Sequence, residues 1–168
     1  SSAIIAQKKV NTLIILESST LIEQWKEALG KFLNIDEELP AYETKTGRVR
    51  KRKRLIGTLQ GAHDSTTGII DIAMAGSLCK KGEYHKLLNQ YGLLLIDECH
   101  HSASETIANV LKEAKAKYVY GVTATPKRGD GLEKINYMLI GPIRYSYTAM
   151  EKAKEQGMQH LVYPRFTR

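Results

Sequence analysis

The chain has 168 residues, 42% of them apolar, which suits one domain with a substantial core. No stretch approaches the roughly 18 consecutive apolar residues of a membrane span, no basic-then-apolar leader opens the chain, and two cysteines, Cys79 and Cys99, are too few for a disulfide framework, so a reducing, cytoplasmic setting is expected. The net charge of +7 resides in one window: Lys45 to Arg54 holds seven basic residues and no acid, whereas the other 158 residues hold 18 of each sign.

Thr12 to Leu16 is a short apolar run that reads as a buried strand. A helix follows. Thr20 and Glu23 have capping-box spacing, and Leu21, Ile22, Trp25, Ala28, Leu29, Phe32 and Leu33 recur on one helical face. Trp25 on that stripe reads as core rather than as a base-stacking platform. From 34 to 68 the periodicity fails. Pro40, four glycines and the basic run lie there, and the span reads as a long loop or insertion. Such a run is either a solvated loop or an arm for nucleic acid, through Arg48, Arg50, Lys51, Arg52, Lys53 and Arg54.

Ile69 to Ala73 reads as a second strand and Ser77 to Asn89 as a helix weakened by Gly82. Gly92 to Ile96 is the clearest buried strand. A helix follows, capped by Ser102, with Glu105 three residues on and Ile107, Val110, Leu111 and Ala114 facing the core. Lys117 to Val122 is another strand, and Asp130 and Glu133 open another helix. Ile143 to Tyr147 is a weak strand candidate, and Thr148 to Gln156 a short polar helix. Strands alternating with helices predict an α/β domain with a mostly parallel sheet.

In such a sheet, ligands sit beyond the carboxyl ends of the strands. After Leu93-Leu94-Leu95-Ile96 come Asp97 and Glu98, the form of a Walker B element. A carboxylate at a strand tip can hold Mg²⁺ through water against nucleotide phosphates. A second one beside it can orient or deprotonate the attacking water. Asp97 suits the first role and Glu98 the second. Two solvated acids opening a loop, or a metal site built from Asp97, Glu98, Cys99, His100 and His101, are the alternatives. The next strand ends in Thr123-Ala124-Thr125-Pro126, 26 residues after Asp97 and one crossover away, so both tips can share an edge.

Asp97-Glu98-Cys99-His100 followed by Thr123-Ala124-Thr125 resembles motifs II and III of superfamily 2 helicases, a DExH box and an S/T-A-T motif. Thr125-Pro126-Lys127-Arg128-Gly129-Asp130-Gly131 is similar to the branch of type III restriction-subunit-like and XPB-like helicases. Leu13 to Trp25 resembles that branch's motif Ia, and Asp71 to Leu78 its backbone-contacting segment. The resemblance spans most of 11 to 144. It implies a RecA-like α/β/α motor domain that serves ATP and Mg²⁺. Asp97, Glu98 and His100 would be catalytic, Thr123 and Thr125 would couple hydrolysis to domain closure, and Ser18, Ser19, Thr20 and Ser77 would touch nucleic acid, with DNA preferred over RNA.

No glycine begins the G-x-x-x-x-G-K-[ST] phosphate cradle, and motifs IV to VI are absent. The expectation is a first RecA-like domain over 1 to 150 that lacks its P-loop, with 151 to 168 a linker to a second RecA-like domain. By itself the chain is expected to be monomeric and inactive. A non-catalytic nucleic-acid-binding domain and a metal-dependent nuclease are the other readings.

Overall fold

The computed structural model describes residues 2–33, 41–44, 46–51, 54–80, 82–99, 105–124 and 133–146. Helix α1 (Ser2–Lys8) leads into β1 (Thr12–Leu16), whose five side chains are all completely buried. Helix α2 (Leu21–Phe32) returns, burying Ile22 and Leu29. A small exposed hairpin, β2 (Tyr42–Glu43) with β3 (Val49–Arg50), precedes β4 (Ile56–Gln60), β5 (His63–Asp64) and β6 (Ile70–Met74). Helix α3 (Ala75–Leu78), a hairpin of β7 (Cys79–Lys80) and β8 (Glu83–Tyr84), and a 3₁₀ turn over Lys86–Gln90 follow. The chain then forms β9 (Leu93–Asp97), α4 (Glu105–Glu113), β10 (Tyr118–Val122) and α5 (Glu133–Ile140).

One six-stranded sheet runs β10-β9-β1-β6-β4-β5. Its first five strands are parallel and β5 is antiparallel to β4. Strands buried on both faces must be apolar throughout, not alternating, and the sequences TLIIL and LLLI meet that demand. One face packs Ile14, Leu16, Ile70, Ile72, Leu93 and Leu95 under Ile5 of α1 and Ile22 and Leu29 of α2. The other packs Leu13, Ile15, Ala73, Leu94 and Ile96 under Leu78, Leu87, Leu88, Ile107 and Val110. Burying each Leu or Ile side chain contributes about 1.5–3 kcal/mol. The result is the three-layer α/β/α arrangement expected of a RecA-like domain.

The span 34–68 departs from the expected loop: it supplies β4, with Gly57, Thr58 and Leu59 buried. Its sequence, IGTLQ, lacks an apolar run because position 57 must be glycine. A Cβ there would run into Asp71 Oδ1, the Ser65 carbonyl and Thr66 Cα. Asp71 itself is fully buried in β6. Its carboxylate accepts hydrogen bonds from the Thr67 and Gly68 amides (2.8 and 2.7 Å), the Thr67 hydroxyl (3.1 Å) and the Tyr91 hydroxyl (2.5 Å). It fixes the turn that enters β6 and clamps Tyr91 just ahead of β9.

The helix expected over Ser77–Asn89 is broken into α3, a hairpin and a 3₁₀ turn. Gly82 takes φ +79 between β7 and β8, a conformation that ends a helix. The His85 ring accepts the Leu87 amide at 3.3 Å and starts the 3₁₀ turn. Ile143–Ser146 form no strand and are exposed, so the strand expected there is not formed among the described residues. The helix expected over Thr148–Gln156 and the linker over 151–168 lie outside the described residues.

Replacing Asp71 with alanine leaves several buried donors without an acceptor, each costing about 1–3 kcal/mol. Urea unfolding of Asp71→Ala is expected to show a loss of at least about 3 kcal/mol. A loss under about 1 kcal/mol would contradict the clamp.

Candidate functional site

The strands of the sheet end level. Thr12 is in register with Ile70 and Leu93, and Leu93 with Tyr118. Their far ends, Leu16, Met74, Asp97 and Val122, therefore share one edge. The residues just beyond these ends carry the polar chemistry of the domain.

Asp97 is the last residue of β9 and half-buried. Its Oδ2 accepts the Trp25 indole N–H at 2.7 Å, and its Oδ1 accepts the Glu98 amide at 3.0 Å. Glu98 then turns the chain at φ +49, an uncommon left-handed conformation for a residue with a side chain. Its Oε2 accepts the Thr123 hydroxyl at 3.3 Å from the tip of β10. The two tips expected to share an edge therefore touch. Cys99 tucks against β10, where a Cβ on Gly121 would lie 2.6 Å from its sulfur. Burial, then the Glu98 carboxylate and more weakly that of Asp97, push the Cys99 thiol above its ordinary pKa against a smaller downward pull from the backbone. His100 and Thr125 lie outside the described residues.

Ser18, Ser19 and Thr20 form the exposed turn between β1 and α2 on this same edge. The expected capping box is not made. Thr20 has helical angles and no side-chain cap, and its hydroxyl pairs instead with that of Ser18 at 2.7 Å. The first helical amides bond to backbone: Leu21 to the Ser18 carbonyl and Ile22 to that of Ser19. Exposed hydroxyls at a helix N-terminus suit phosphate oxygens. Ser77 follows β6 on the same edge but is buried, and its hydroxyl accepts the Gly61 amide at 2.8 Å.

The basic segment is placed elsewhere. Arg48 and Arg50 sit on the β2–β3 hairpin, with Thr44 bonding the Arg48 amide and carbonyl across the turn. Lys51 follows, and Arg54 stands two residues before β4, at the starting end of the sheet. Arg52 and Lys53 lie outside the described residues.

Two adjacent carboxylates at one strand tip fit Mg²⁺, which takes one or two carboxylates and completes its shell with water and phosphate. No group of three His, Cys, Asp or Glu is placed to hold a metal among the described residues. Trp25 is a neighbour of Asp97 that the sequence stripe hides. It packs on the apolar cluster and also binds Asp97. The available signal is chemical: an indole N–H taken out of water needs an acceptor.

The family described as "Type III restriction enzyme, res subunit" matches residues 2–128. The chain is 33% identical over 150 residues to the DNA 3'-5' translocase XPB2 of Sulfurisphaera tokodaii, covering 89% of this chain and 29% of that protein. It is 28% identical to the general transcription and DNA repair factor IIH helicase/translocase subunit XPB of Dictyostelium discoideum, covering 87% of this chain and 18% of that one. The DNA 3'-5' helicase XPB of Kineococcus radiotolerans is also 28% identical, with 86% and 24% covered. The chain thus spans less than a third of each of these relatives.

Trp25→Phe keeps an aromatic ring and removes the N–H to Asp97 together with part of the ring's packing on the apolar cluster. Hydrogen bonds to charged groups contribute about 1.5–3 kcal/mol, and partial exposure reduces that, so a loss of about 1 kcal/mol in urea unfolding is expected. No change would show that the bond is idle. The raised Cys99 pKa keeps the thiol protonated at neutral pH. Iodoacetamide should therefore modify Cys99 slowly, its rate rising only above the pH at which an ordinary thiol ionises. A normal profile, read by peptide mass spectrometry, would contradict this.

Proposed function

The chain belongs to the type III restriction enzyme res subunit family of superfamily 2 helicases, and on that premise we propose that it is part of the first RecA-like motor domain of an ATP-dependent DNA helicase or translocase. The observation that carries the reading is the hydrogen bond between Thr123 and Glu98, which joins the tips of β10 and β9 beside Asp97. A base next to a metal-holding carboxylate, with a hydroxyl bonded to the base, is the arrangement nucleotide hydrolysis calls for.

The roles follow from position. Asp97 would hold Mg²⁺, and the Trp25 indole and the Glu98 amide fix the orientation of its carboxylate. Glu98 orients the attacking water and accepts its proton. Thr123 reports the state of Glu98 to β10, and by motif His100 and Thr125 extend that link. Bound Mg²⁺-ATP supplies the phosphoryl group and the metal that neutralises its charge. Ser18, Ser19 and Thr20 offer hydroxyls and a helix N-terminus to the phosphates of one DNA strand. Ser77 supports that edge by holding the β4–β5 turn. DNA is the proposed track because the XPB-like relatives of Sulfurisphaera tokodaii and Kineococcus radiotolerans are named for action on DNA.

The chain's own sequence contains no G-x-x-x-x-G-K-[ST] element. Gripping the β- and γ-phosphates is therefore assigned to other parts of the full-length protein, and the closing partner to a second RecA-like domain.

In the full-length protein, Glu98→Gln is expected to lower DNA-stimulated ATP turnover by about a hundredfold or more and to leave nucleotide affinity within about threefold. The 168-residue chain alone is expected to show no turnover with or without DNA. Unchanged turnover in Glu98→Gln would refute the assignment of the base.

A further inference from the structure

The basic segment borders an open trough of about 1320 Å³. One wall is α2, from Lys26 to Leu33, and another carries Tyr42, Arg50 and Lys51 of the hairpin region. Ile56 and Thr58 of β4 line it, together with Ser65 and Thr66 of the return from β5. Its origin lies in the fold. Helix α2 packs through Ile22 and Leu29 on the cluster formed by β1, β6 and β9, and the trough opens between this helix and β4. The trough follows α2 along the flank of the sheet. Lys26, near the start of α2, lies towards the edge that carries Ser18–Thr20, and Arg54 lies at the opposite end, where β4 begins.

Its described lining is net positive. Among the described residues that line it, four cations, Lys26, Arg50, Lys51 and Arg54, face two acids. Glu23 pairs with Lys26 at 2.8 Å, and the Asp64 carboxylate, which keeps its charge, is turned to the amide and hydroxyl of Thr66. Among the described residues, Arg50, Lys51 and Arg54 have no carboxylate within ion-pair distance. Apolar side chains of Leu33, Leu55 and Ile56 and the ring of Tyr42 line the same trough. The volume exceeds the roughly 300–1,000 Å³ of small-molecule pockets. An open trough lined by cations, apolar side chains and an aromatic ring suits a single strand, whose phosphates meet the cations and whose bases meet the apolar and aromatic groups. A duplex keeps its bases stacked inside and cannot use such a lining.

We propose that this trough is a binding site for single-stranded nucleic acid, continuing the track from the Ser18–Thr20 edge down the flank of the domain under the basic hairpin. It rests on the nucleic-acid role above but requires no ATP hydrolysis. Gly30 makes it separable from charge alone. This glycine lies on the trough wall in α2, and a Cβ there meets nothing within 4 Å. A side chain added at Gly30 therefore enters the trough without disturbing the core, and it replaces a poor helix former.

The test is fluorescence anisotropy of a labelled oligothymidylate with the purified chain across a salt series. Arg50→Gln/Lys51→Gln/Arg54→Gln should weaken binding at least tenfold near 0.1 M salt. It should also reduce the slope of log affinity against log[salt] by about 2, at about 0.7 per lost phosphate contact. Gly30→Gln should weaken binding severalfold with its urea midpoint no lower than that of the parent. Blunt duplex should bind the parent and both variants almost equally, and poly-glutamate should not displace the oligonucleotide. An unchanged slope in the triple variant, unchanged binding in Gly30→Gln, equal losses for duplex, or displacement by poly-glutamate, which would point to an acidic protein instead, would each overturn the proposal. If Ser18→Ala/Thr20→Ala weakens binding while the trough variants do not, the trough fails and the strand-tip reading stands. If none of the variants matters, both fail.

Discussion

Leu93 pairs with Thr12 on one side and with Tyr118 on the other, and every later property of the edge depends on that double register. It sets β1, β9 and β10 level, so that Leu16, Asp97 and Val122 finish together. Because β9 is paired on both flanks and covered on both faces, its side chains must be apolar until the strand emerges. The first residue that escapes is Asp97, half-buried. A slip of one residue would send Leu93–Ile96 to the wrong faces and move the carboxylate off the edge. Core packing thus positions the acid.

Asp97 also joins two surfaces. Trp25 reaches it from α2, the helix that begins at the Ser18–Thr20 turn, while the backbone leaving Asp97 turns through Glu98 towards Thr123 on β10. The turn whose hydroxyls suit a phosphate backbone is therefore linked through α2 to a short hydrogen-bonded chain, Trp25 to Asp97 to Glu98 to Thr123, that carries the carboxylates suited to a nucleotide. Glu98 holds φ +49 in the middle of it, strain of the kind that the surrounding packing must over-determine. Gly121 contributes by omission, leaving room for Cys99 beneath the turn.

The sheet's centre was legible because TLIIL and LLLI can be satisfied only by strands buried on both faces. The shared edge followed from counting one crossover between Asp97 and Thr123. β4 escaped because its identity lies in a single steric constraint, Gly57 against Asp71, and a glycine followed by a threonine reads locally as loop. The stretch after Ser77 misled for the converse reason: its apolar spacing suits a helix, but Gly82 takes a backbone angle that no helix contains. Trp25 read as core and is also a donor, since periodicity reports which side a ring faces and not what its N–H finds. The basic run was visible as charge. Its place beside the trough between α2 and β4 depended on where α2 packs, and no local pattern encodes that.

The central claim is that the tips of β9 and β10 act as one unit in nucleotide hydrolysis. A double-mutant cycle on DNA-stimulated ATP turnover by the full-length protein, using Glu98→Gln, Thr123→Val and the pair, tests it most directly. If the Thr123 hydroxyl works through Glu98, Thr123→Val slows turnover in the parent and adds little in the Glu98→Gln background. If the two losses simply multiply, the hydroxyl and the carboxylate act independently, and the joined edge is not a catalytic unit.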